Sequence, residues 1–173
     1  MPSELNNTCE ALKYIDVVSP NHAELASLYD VSPVTSTGDI DIDLLNGCAH
    51  KLLDNVLELH PELFAVIRCG KDGCLITGTN DMKSPCIPAY HATRQDQVID
   101  PTGGGNGFLG GFALGLVRTH DILQAVLWGS VSASLCIEQV GVPTMRIDAK
   151  GKETWNGVDV MARLEEFSRS CGY

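Results

Sequence analysis

DPTGGGNGFLGGFALG, residues 100–115, drives a run of three glycines into an apolar segment in which glycine returns at 107, 111 and 115. A short apolar stretch, Gln97-Val98-Ile99-Asp100, precedes it and predicts a strand that ends at the glycines; a helix is predicted over 106–119. A glycine turn at a helix start exposes backbone N–H groups at the positive end of the helix dipole, so it can hold an anion without any lysine. The same glycines also suit a tight turn that only needs positive φ. No lysine follows them, so the run is not a GxxxxGK[ST] loop, and no partner acid completes a dinucleotide fingerprint. Residues 107, 111 and 115 share one helix face, and their lack of side chains permits a neighbouring helix or sheet to come close. Paired membrane helices use the same spacing. Here polar residues and glycines interrupt the uncharged run 101–117, which falls short of the ~20 predominantly apolar residues of a membrane span. With Asn106, Arg118 and His120 flanking the segment, the expectation is close packing inside a soluble core.

Working outward, a second helix is predicted over 122–139, stopped by Gly141-Val142-Pro143. On the N-terminal side, residues 15–20 read as a strand ended by proline, and 21–28 as a helix. A Ser/Thr/Pro/Gly-rich loop follows over 31–39. A longer helix over 41–59 then places Leu44, Leu45, Cys48, Leu52, Leu53, Val56 and Leu57 on one stripe. Residues 63–69 form a nearly continuous apolar run, as for a strand buried on both faces; a turn at 70–73 returns the chain into a strand at 74–77. Residues 148–153 read as a polar link to a last amphipathic helix over 158–167. The alternation predicts an α/β fold, mostly parallel, with helices on both faces of the sheet.

At 173 residues the chain fits a single domain, 1–173, with a real core. A net charge of -10 gives phosphate no general attraction, which argues against nucleic acid and anionic membranes as partners; any anion site must be local. The seven cysteines are odd in number and lack zinc spacing, so they read as buried reduced thiols in a cytoplasmic protein. The start shows no basic segment followed by an apolar one, and so no secretory signal is expected. The five histidines are scattered and read as surface or helix-end residues.

Three stretches, DVVSPNHAELASL, FAVIRCGKDGCLI and IPAYHATRQDQVIDPTGGGNGFLGGFALGL, taken in order, resemble the PfkB (ribokinase-like) carbohydrate kinases. The first carries an NxxE motif, the second a strand-turn-strand, and the third a signature region whose usual form is D-T-x-G-A-G-D-x-F-x-x-G. The resemblance implies a three-layer ribokinase-like (Rossmann-like) sheet with helices on both faces, truncated relative to the family because the match falls on its C-terminal half. It implies that Gly103, Gly104 and Gly105 form an anion hole for the transferred phosphate. It also implies that Asn21 and Glu24 organise magnesium, water and phosphate, with Glu24 reaching the metal through water. On one helix an amide and a carboxylate three apart share a face, which suits a common metal shell. Arg68 and Gly70 fall where the family lines its nucleotide cleft, and Ser130 near a common adenine-side position. ATP and magnesium are thus possible cofactors by resemblance, with none required.

The resemblance also marks a departure. The family's proton acceptor is the aspartate closing G-A-G-D, and this chain has Asn106 there. A carboxamide takes no proton at ordinary pH, and losing a positioned base costs ~10²- to 10⁴-fold in rate. Asn106 can still cap a helix. Gly104 stands for the alanine and Pro101 for the threonine. The family's N-terminal region, with most sugar-binding residues, has no counterpart in the match, so an exposed sheet half should be covered by a homodimer or a partner chain. Three functions follow from these readings. One is a degenerate relative that is not a sugar kinase, whose remodelled cleft binds or converts a small molecule, a cyclisation or isomerisation by proximity being allowed. The second is an ATP-dependent carbohydrate phosphotransferase whose base comes from Asp100, Asp96 or a partner. The third is a non-catalytic interaction module.

Overall fold

The structure is a computed structural model that describes residues 2–56, 58–78 and 85–173. Two compact units divide the chain, Met1–Cys86 and Ile87–Tyr173.

The first unit holds α1 (Pro2–Leu12), β1 (Val17–Val18), α2 (His22–Leu28), α3 (Ile42–Asp54), β2 (Phe64–Arg68) and β3 (Cys74–Thr77); β4 (Cys86–Ile87) marks the passage to the second. The strand order is β1-β2-β3-β4. β1 runs parallel to β2, and β2 runs antiparallel to β3 with Val66 opposite Ile76. The sheet is therefore mixed rather than mostly parallel. Its antiparallel pair comes from the four-residue turn, which is far too short for the crossover that parallel strands need. Gly70 and Gly73 take φ of 59° and 89° in that turn, a region other residues enter only at a cost, and the Cys69 N–H closes it on the Gly73 carbonyl at 2.7 Å.

The apolar stripe of α3 forms as its spacing predicts: Leu45, Cys48, Leu52 and Leu53 are buried, together with Val56 just beyond the helix, in one cluster with Leu25, Ala65, Ile67 and Leu75. Leu44 is only half-buried, and Leu57 lies outside the described residues. α3 stops at Asp54, short of the expected 59, where the Asn55 side chain donates back to the Lys51 carbonyl at 2.6 Å. Such local side-chain bonds compete with helix continuation.

The second unit contains α4 (Gly104–Thr119), α5 (Ile122–Ile137), a hairpin of β5 (Met145–Ile147) and β6 (Glu153–Trp155), and α6 (Val160–Ser170). Two expectations need correction here. Residues 97–100 form no strand: Ile99 is exposed, and the N–H groups of Ile99 and Asp100 both donate to the Ile137 carbonyl at the end of α5. A four-residue run ahead of Pro101 finds no sheet partner, and its amides go to a helix end that has carbonyls to spare. The polar link is in fact the turn of the hairpin. Asp148 Oδ1 accepts the Lys150 and Lys152 N–H groups, with Gly151 at positive φ between them. Cys48, Cys69 and Cys74 are buried as expected, whereas Cys86 is exposed. Among the described residues no helix is long and apolar enough to cross a membrane.

Candidate functional site

The candidate residues fall on both units, and each group is built from its own surroundings. In the second unit the glycines of residues 103–105 start α4. Gly103 is the N-cap, at φ 84° and ψ -14°, and it has no side chain to close the helix start. The Gly104 N–H reaches the Pro101 carbonyl at 3.2 Å, and the Gly107 N–H reaches Gly103 at 2.8 Å. Among the described residues, nothing accepts the N–H groups of Gly105 and Asn106. A Cβ built on Gly103 would meet no atom within 4 Å. These two donors sit at the positive end of a 16-residue helix, an arrangement that suits phosphate oxygens. Asn106, the third residue of α4, is exposed beside them and brings a neutral carboxamide.

What holds this turn in place is the packing behind it. A Cβ on Gly104 would come within 2.7 Å of Ile137 Cγ2, one on Gly107 within 2.6 Å of Cys136 Sγ, and one on Gly111 within 2.5 Å of Ser132 Cβ. Gly115 meets Trp128 and Ala125 at 2.8 and 2.9 Å in the same way. The four-residue spacing is thus a seam along which α4 lies antiparallel on α5, and Phe108 and Phe112 are buried from the same helix. The seam carries Gly104, and with it the turn, onto the last turn of α5.

Asp100 stands just before the turn, half-buried, and its Oδ1 accepts the Thr102 N–H at 2.9 Å. Hydrogen bonding from Thr102, side chain first and backbone second, holds its carboxyl below the usual carboxylate range. A carboxylate stabilised in this way is a weaker proton acceptor than a free one. Ser130 is not brought to the turn. It is buried on α5, seven residues before Ile137, or about 10 Å along the helix at the α-helical rise.

In the first unit, Asn21, Glu24 and Arg68 do come together. Asn21 is the N-cap of α2, in extended geometry, and not a helical residue; its Oδ1 accepts the Glu24 N–H at 2.8 Å, while Glu24 Oε2 accepts the Asn21 N–H at 2.7 Å. This is a capping box. Glu24 Oε2 also faces Arg68 Nη2 at 3.4 Å, and the Arg68 guanidinium donates twice to the Ser19 carbonyl, at 3.1 and 3.0 Å. His22 Nδ1 lies 3.4 Å from the Arg68 carbonyl. The i, i+3 face expected of the NxxE motif is therefore replaced by two groups that satisfy each other's backbones. Glu24 is more than half exposed, so its carboxylate keeps capacity for a hydrated cation. Gly70 is exposed at the start of the β2–β3 turn, with open space where a Cβ would point. Among the described residues no group of three His, Cys, Asp or Glu side chains could hold a metal ion directly.

One constellation escaped the sequence. His91, expected at the surface, is only 4% exposed, and its Nε2 lies 2.8 Å from Glu138 Oε1. The same oxygen accepts Arg163 Nη1 at 2.7 Å. Arg163 also reaches Ser134 Oγ at 3.0 Å and lies over the Tyr90 ring, 4.9 Å from its centroid. No spacing links positions 91, 138 and 163, so only the fold could reveal them.

A mixed α/β chain with a glycine turn opening a helix and an NxxE capping box belongs with the ribokinase-like folds. The comparisons make this definite: the chain belongs to the pfkB family of carbohydrate kinases, whose model matches residues 2–149. Protein MAK32 of Saccharomyces cerevisiae is 34% identical over 159 residues, covering 90% of this chain and 41% of MAK32. An uncharacterized protein of Schizosaccharomyces pombe is 31% identical over 182 residues, covering 96% of this chain and 48% of its own length. The crystal structure of ribokinase from Thermotoga maritima shares the fold with a TM-score of 0.60 at 19% identity, covering 93% of this chain and 44% of the ribokinase. The chain spans less than half the length of these relatives.

Proposed function

We propose that this chain is a phosphate-binding member of the pfkB family that does not phosphorylate sugars. In this reading the start of α4 holds the phosphate oxygens of a small-molecule ligand, for which ATP is the family's own candidate. The observation that carries it is the uncapped start of α4: the N–H groups of Gly105 and Asn106 have no acceptor among the described residues, and position 106 brings an exposed carboxamide. Donors fixed before the ligand arrives cost no reorganisation, which is what an anion hole requires. Asn106 supports the second half of the reading, because it can donate to or orient a ligand oxygen and cannot take a proton from an attacking hydroxyl. Any conversion of the bound molecule would then rest on holding it in a reactive shape, as in a cyclisation or isomerisation. The competing phosphotransferase reading needs another base. Asp100 serves it poorly, since Thr102 already stabilises the ionised carboxylate.

The test is a titration of the purified chain with MgATP by calorimetry, paired with an assay for ADP release over a panel of sugars and polyols. Binding without sugar-dependent ADP release is expected. Sugar-dependent ADP release would restore the kinase reading, and absence of both MgATP and inorganic phosphate binding would leave an interaction module.

A further inference from the structure

The mechanism above uses the glycine turn but not the buried cluster behind it. The chain from His91 to Asp100 is a series of tight turns, Arg94 N–H to His91 carbonyl, Gln97 N–H to Arg94, Val98 N–H to Gln95, and its two ends dock on the last residue of α5 and on its C-cap, Glu138. His91 Nε2 holds Glu138, and the N–H groups of Ile99 and Asp100 hold the Ile137 carbonyl at 2.8 and 3.2 Å. Ile137 is also the residue whose Cγ2 lies where a Cβ on Gly104 would go. A single dipeptide, Ile137-Glu138, thus carries His91 on one side and the glycine turn on the other. A carboxylate only accepts, so the proton of this bond sits on His91 Nε2. Nδ1 is then left buried without a partner among the described residues. An imidazole retained in the core with one nitrogen unpaired costs stability, which an apolar residue of similar size would not.

We infer that His91 is a positioning residue for the turn that starts α4. Through Glu138 it fixes the end of α5, and through Ile137 the path of residues 99–104 and the direction of the free Gly105 and Asn106 N–H groups. Arg163, bound to the same carboxylate oxygen and to Ser134, keeps Glu138 paired when His91 is removed. The clasp can therefore be opened without stranding a buried charge. The inference rests on the proposed reading of the turn as a phosphate cradle only for its consequence in binding.

The experiment compares the full chain with His91→Leu and His91→Gln by amide hydrogen exchange and by MgATP calorimetry. His91→Leu removes the donor and fills the space. We expect it to remain folded, to speed exchange at the Ile99 and Asp100 amides, and to weaken MgATP about tenfold, a coupling of the size that packed networks transmit. His91→Gln, whose amide can still donate to Glu138, restores both. Should the leucine variant not fold, His91→Asn, too short to reach Glu138, takes its place with the same expectation. Unchanged exchange at Ile99 and Asp100 in a folded variant overturns the inference, whatever the ligand does. Faster exchange in a chain whose wild type binds no MgATP supports the clasp and removes the phosphate reading instead.

Discussion

Two helix starts in this protein come from two of the three stretches that resemble its family, and they solve the same problem in opposite ways. α2 closes its first turn with its own side chains: Asn21 takes the Glu24 N–H, Glu24 returns to the Asn21 N–H, and Arg68 braces the carboxylate. α4 has only Gly103 at its cap and leaves the N–H groups of Gly105 and Asn106 without an acceptor among the described residues. The other helices with described caps follow α2: Asp41, Asp121 and Asp159 each accept from the first turn of α3, α5 and α6. A glycine at the cap in place of such a side chain forgoes only about a few tenths of a kcal/mol. The difference is that α2 spends its first-turn donors on its own side chains, whereas α4 does not.

The comparison breaks most severely if the seam behind the open start is forced apart. Gly111→Val puts a branched side chain where even a Cβ comes within 2.5 Å of Ser132 and 2.6 Å of the Trp128 carbonyl. A loss of about 3 kcal/mol is expected from overpacking of this kind, read as a lower urea midpoint. Gly103→Ala acts on the open start itself. Its Cβ meets nothing within 4 Å, so the cost is the left-handed conformation alone, about 1 to 2 kcal/mol in thermal unfolding. At the closed start, Asn21→Ala removes the cap from the Glu24 N–H, and about 1 kcal/mol of stability should be lost in the same measurement.

How much of this contrast could be read from the sequence depends on whether the signal was local. The glycine seam was legible, because spacing of four on a helix fixes a face whatever surrounds it. The α3 stripe was legible for the same reason. The capping role of Asn21 was legible too, since N-x-x-E before an apolar helix is a capping signature as well as the family's motif. The strand expected at 97–100 rested on four residues, and its amides were taken by a helix end forty residues away. His91, Glu138 and Arg163 left no trace at all, since their pairing depends on how α5 and α6 pack.

The smallest expected effect concerns acid. Because Thr102 lowers the Asp100 pKa in the folded chain, this interaction is fully present above the unfolded value of about 4 and is lost as pH falls through the lower folded value. A carbon-detected carboxyl titration should find the Asp100 midpoint below that of an unfolded aspartate. Asp100→Asn should flatten the corresponding part of the acid-stability curve.

The account's central claim is that the start of α4 binds phosphate and transfers none. It is tested most directly by following the Gly105 and Asn106 amide resonances during MgATP addition, with phosphorus signals recorded on the same sample in the presence of a sugar panel. The account predicts saturable movement of both amides while the ATP signals persist. Amides that stay in place at saturating MgATP, or ADP that accumulates with any sugar, would contradict it.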